Sequence, residues 1–154
     1  MTQRLSPSSR EPAQDDWLMF AEGNALVALE AVGRCIGCLL EAGAERPPPD
    51  ADWSFRTSFI ADVRGVSWEL RDRLAPLRAL LEGADEEIDR LRRKYEALVA
   101  STLDRGLDSG GNVESERQEL EKSLLIDREM RHRIASAIAE ADRVLAATER
   151  DFAL

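Results

Sequence analysis

The amino-acid sequence predicts an all-α protein, a helical bundle core that carries a long antiparallel coiled-coil hairpin. Three observations predict it. Apolar residues recur at steps of three and four over most of the 154 residues. No run alternates apolar and polar residues over more than a few positions, so no strand is expected. Glycine and proline cluster at a few places only, and these divide the chain into pieces of helical length. The length fits one domain, and no internal repeat is present.

Residues 1–14 contain Pro7, Pro12, three Ser and two Arg with almost nothing apolar, and are expected to form a disordered tail because they cannot offset the entropy of ordering. The first helix is expected over about 16–43. Asp15 and Asp16 suit its N-terminal N–H groups, and Gly43 with Pro47-Pro48-Pro49 stops it. Ala25, Val32, Cys35 and Leu39 share one face with Leu26, Leu29, Ile36 and Leu40 beside them, so this helix is expected to be mostly buried.

Asp52 can cap a second helix, in which Phe59, Val63, Val66, Leu70, Leu77 and Leu81 keep one face apolar. Pro76 lies inside that pattern and removes a hydrogen bond, so a kink or break is expected near 72–76, giving pieces 52–75 and 77–83. Gly83 and Asp85 are expected to close one helix and open the next, over 85–104. There Ile88, Leu91, Tyr95, Leu98 and Thr102 have coiled-coil spacing. The segment 105–112, with three glycines, is the expected turn. A last helix over 113–152 has no Gly or Pro and, at 1.5 Å per residue, would be about 60 Å long.

These lengths imply a single all-helical domain over 15–154. Its core is made of 15–84 and 133–152, and its stalk of 85–132 folds back at the turn. All three Trp (Trp17, Trp53, Trp68) and all four Phe (Phe20, Phe55, Phe59, Phe152) fall in the core part, with Trp53 and Phe55 expected to be exposed near the connection of the first two helices. A two-helix seam buries little, so a homodimer that covers it is expected.

Composition narrows the function. Thirty Asp and Glu against 21 Lys and Arg give a net charge of −9, which disfavours nucleic-acid and anionic-membrane binding. The cluster Arg90, Arg92, Arg93 and Lys94 is flanked by Asp85, Glu86, Glu87, Asp89 and Glu96, which cancel its field. Glu30, Arg34 and Glu41 interrupt the most apolar stretch and no secretory leader opens the chain, so a cytoplasmic, non-membrane protein is expected.

Cys35 and Cys38 sit in mid-helix, away from the helix N-terminus that activates a catalytic dithiol, and one chain supplies too few ligands for a zinc cage. Both are expected to be small core residues, and Gly33-x-x-x-Gly37 is read as core packing. Glu129-x-x-His132 occurs once, whereas a di-iron bundle needs two such pairs and two further Glu. Gly106, Gly110 and Gly111 lack the Lys-Ser/Thr ending of a phosphate loop. No metal or cofactor is expected.

His132 is the only imidazole, and Glu129-Met-Arg-His-Arg-Ile-Ala-Ser136 resembles the phosphoacceptor box of one group of bacterial sensor histidine kinases. The resemblance covers about eight residues. It departs at Ser136, where the family usually has Asn. Because 22 residues follow His132, a kinase with its own ATP-binding domain is not expected. The resemblance implies instead a phosphotransfer intermediate, with His132 as acceptor and Arg131 and Arg133 steadying the anion.

The leading expectation is a non-enzymatic protein-protein interaction factor, a small acidic adaptor or chaperone-like protein of bacterial or phage type that acts as a dimer. It is similar in general character to the export chaperones of bacterial secretion systems. Trp53, Phe55, Tyr95 and Leu98 are its expected partner-binding residues. Histidine phosphotransfer through His132 is the first alternative. An acidic inhibitor that mimics nucleic acid ranks behind both, because 21 basic residues are interspersed with the acids.

Overall fold

The computed structural model describes residues 13–105 and 110–154, with side-chain surroundings for 23–103 and 112–154. Among the described residues there are three helices: α1 (Ala13–Ala44), α2 (Trp53–Arg105) and α3 (Gly110–Phe152). Among the described residues there is no strand. The expected tail lies outside the described residues except for Ala13 and Gln14, which belong to α1. Four residues of the expected turn, 106–109, also lie outside them.

The helix ends follow local chemistry. The carboxylate of Asp52 accepts a hydrogen bond from the Ser54 N–H at 3.1 Å and so satisfies a donor that α2 leaves open. At the other end of the chain the Leu154 N–H reaches back to the Glu149 carbonyl at 3.1 Å. Ala153 stands between them at a φ of 55°, so α3 ends in a Schellman turn formed without glycine. The Leu154 side chain packs on the core and offsets that strain.

α2 runs unbroken through Pro76 and Gly83, where a break and a helix boundary were expected. The reason lies in the phase of its apolar positions. Val63, Ser67, Leu70, Leu74, Leu77, Leu81, Ala84, Ile88, Leu91, Tyr95 and Leu98 follow one another at alternating steps of four and three, with no slip at either residue. A break would swing everything beyond it off the seam. Leu70, Leu74 and Leu77 are at most 2% exposed, and each such leucine contributes about 1.5–3 kcal/mol, together more than the roughly 3 kcal/mol that an interior proline costs. Pro76 itself faces outward. Pro76→Ala is therefore expected to raise the free energy of unfolding by up to about 3 kcal/mol in a urea titration, with the helical signal unchanged. A loss of stability would show that the ring's contact with α1 outweighs the missing hydrogen bond.

α2 and α3 form an antiparallel hairpin. The ion pairs Arg71–Glu149, Arg78–Asp142 and Asp85–Arg131 and the Tyr95–Glu121 hydrogen bond run along it in order. α1 packs against its open end. There Ala25, Val32, Cys35, Ile36 and Leu39 of α1 meet Val63, Leu70, Leu74 and Leu77 of α2 and Ile134, Ile138, Ala141 and Leu145 of α3. A second, smaller cluster of Leu91, Leu120 and Leu124, edged by Ile88, Tyr95 and Leu98, holds the distal half of the hairpin. The molecule is thus a three-helix base carrying a two-helix stalk.

Two packing expectations are corrected. Phe55, Phe59 and Phe152 do gather at the base, with ring centroids 6.4 Å apart for Phe55–Phe59 and 5.8 Å for Phe59–Phe152. Trp68, however, is 62% exposed; Trp53, expected to be exposed at the connection between α1 and α2, is 72% exposed. α1 is not mostly buried either: Leu26, Val27 and Leu40 are exposed. Only two helices are available to cover α1, so its outward side stays open although its sequence is apolar nearly all round.

Candidate interaction surfaces

The four expected partner-binding residues divide into two separate places. Trp53 and Phe55 lie in the first turn of α2, at the base. Tyr95 and Leu98 lie about forty residues further on, roughly 60 Å along the helix at 1.5 Å per residue. The stalk pair is already engaged within the chain: the Tyr95 hydroxyl donates to the Glu121 carboxylate at 2.9 Å, and Leu98 packs on the Leu91, Leu120 and Leu124 cluster. Their chemistry is that of a seam. Trp53 and Phe55 remain open to a partner.

The base carries further exposed apolar groups that periodicity alone did not single out. Trp68 is one; it sits one position off the seam residue Ser67, on the side of α2 away from the core. On α1, Leu26, Gly33, Gly37 and Leu40 lie along one exposed line. A side-chain atom built at Gly33 or Gly37 would meet nothing within 4 Å, so these glycines are not used for core packing, contrary to expectation. Cys35 is buried as expected, but Cys38 is exposed. Burial is the main cause that raises the Cys35 thiol above its ordinary pKa, which keeps it an unreactive core residue. On the other flank of α1, across its buried face from this line, Val27, Ala28, Ala31, Pro76, Ala79 and Leu80 border a shallow groove of about 460 Å³ between α1 and α2.

Charged residues are mostly matched locally. Arg90 is paired with Glu87, and Arg92 and Arg93 both with Asp89, so three of the four members of the basic cluster hold acids on their own helix. Hydrogen bonds from Arg93 and Arg92 hold the Asp89 carboxyl below its usual pKa, and those from Arg117 do the same for Glu114. The exposed pairs among these are screened by solvent and add little to stability.

His132 is exposed on α3, as a phosphoacceptor would have to be. Of its two arginines, Arg131 reaches across the hairpin to Asp85, which leaves Arg133 to meet an anion there. Among the described residues no three of His, Cys, Asp and Glu converge on a point where a metal could bind. No helix of the described residues is long and apolar enough to cross a membrane.

These features define a class by shape alone: an all-α three-helix base with an antiparallel helical stalk. Comparison with known protein families, with curated proteins and with solved structures finds no match.

Proposed function

We propose that the chain is a non-enzymatic interaction factor, an adaptor or chaperone-like protein that works as a homodimer and presents its base to a protein partner. One observation carries this reading: six large apolar side chains, Leu26, Val27, Leu40, Trp53, Phe55 and Trp68, stand exposed on the base. Isolated exposed leucines are ordinary, but two tryptophans and a phenylalanine held open on rigid helix are the composition of recognition surfaces. The stalk supplies length and a charged, locally neutralised surface that keeps the assembly soluble.

The α1 line of Leu26, Gly33, Gly37 and Leu40 is the self-association face in this reading, since two glycines without side chains let a second helix come close. Trp53, Phe55 and Trp68 are then left for the partner. Light scattering on the full chain is expected to give twice the 17.2 kDa mass of one chain. Leu26→Asp with Leu40→Asp is expected to return it to the single-chain mass with its helical signal intact. A native chain that is monomeric at tens of micromolar would end the dimer reading, and a partner retained equally by a Trp53→Ala, Phe55→Ala, Trp68→Ala variant would end the docking assignment.

A further inference from the structure

The seam of α3 runs through Leu120, Leu124, Asp127, Arg131, Ile134 and Ile138, again at alternating steps of four and three. Two consecutive seam positions are therefore charged, and they fall between the stalk cluster and the base cluster. Arg131 escapes the seam by reaching Asp85 at its edge. Asp127 does not. It is 5% exposed, and its Oδ2 is buried with no hydrogen-bond partner.

The guanidinium that could neutralise it is committed elsewhere. Arg90 donates through Nε and Nη2 to the two oxygens of Glu87, at 3.0 and 2.5 Å. The Glu87 side chain is itself only 11% exposed. The junction thus encloses two carboxylates and one guanidinium, a net negative charge in a place that would otherwise be filled by leucine. From α2, Glu87 and Arg90 are the charged groups that act on Asp127; on α3 its charged neighbours are Arg128, which is exposed, and Arg131, which is held by Asp85. Among the described residues of α1, none adds a charge there.

We propose that Asp127 is a proton-operated latch in the hairpin, which closes the junction between base and stalk when its carboxyl is protonated and loosens it when ionised. The neutral acid removes the surplus charge from the junction. Ionisation releases one proton to solvent and leaves two negative groups sharing one arginine. Burial, and next the charge of Glu87, push the carboxyl pKa from 3.8 up to about 6, while Arg90 pulls it back only in part. Because the folded chain holds the proton more tightly than the unfolded one, stability is greatest below the unfolded pKa. It is lost as pH rises from about 4 through about 6.

Two measurements on the full chain test this. Carbon-detected NMR of the aspartate carboxyls should show one resonance that titrates near pH 6 and is absent from Asp127→Asn. A midpoint near 4 for Asp127 would overturn the proposal. In thermal melts, Asp127→Asn should raise Tm by on the order of 4 °C at about pH 7.5 and change it little at about pH 4, since the amide imitates the neutral acid. Comparison with the native chain removes the general effect of the −9 charge. The same Tm difference at both pH values would count equally against the latch.

Discussion

Leu70→Ala is expected to lower the free energy of unfolding by about 2–5 kcal/mol. Leu70 is 0% exposed and belongs to the cluster in which all three helices meet, so its truncation leaves a cavity that none of them can collapse into without disturbing the other two. Domains of this kind have only about 5–15 kcal/mol in total, which makes the loss a substantial fraction of the whole. A control shows that the position, not the leucine, matters. Leu40→Ala, at a site 58% exposed, should stay within about 0.5 kcal/mol when the protein is kept dilute. Urea titration followed by circular dichroism measures both. A Leu70→Ala loss below about 1 kcal/mol would mean that α1 does not seal this part of the hairpin.

The difference between those two leucines marks what the sequence can and cannot tell. On α2 and α3 the apolar residues are sparse and the charged ones many, so one heptad phase is visible and it fixes which face meets which. The Leu91, Leu98 and Leu120 seam is legible for that reason, while 106–109 of the expected turn lie outside the described residues. Pro76 misled because a local cost was weighed without the leucines on either side, whose unbroken phase favours a continuous helix. On α1 the same reasoning had nothing to work with. Leu26 and Leu40 look no different in sequence from Leu29 and Leu39, and only the number and placement of the helices around α1 decides which of them are covered. The candidate surface was correspondingly half legible. Trp53 and Phe55 are exposed beside a capped helix start, whereas Tyr95 and Leu98, which have coiled-coil spacing, are part of the seam. Trp68 and Asp127 were both readable in principle. Trp68 lies just off the heptad, and Asp127 lies on it.

Substituting both Leu98→Asp and Leu120→Asp is expected to melt the stalk and leave the base folded. Between the latch at Asp127 and the turn, the seam rests on three buried leucines with Ile88, Tyr95 and Leu98 packed at their edge. At about 1.5–3 kcal/mol for each buried leucine, and with surface ion pairs adding tenths, two helices of this length are only marginally held together. Two carboxylates in that seam remove one of the three leucines and one of its edge residues. They also bury negative charge beneath the Tyr95–Glu121 hydrogen bond that links the two helices there. Hydrogen exchange should then show fast amides over 88–103 and 113–126, with protection kept over 63–81 and 134–148, and a thermal transition of the base close to that of the native chain. The base can outlast its stalk because its own core draws on α1, none of whose residues belongs to the stalk cluster. An exchange pattern and helical signal equal to those of the native chain would overturn the pairing of α2 with α3 in the distal half, and loss of protection throughout would show that base and stalk unfold as one unit.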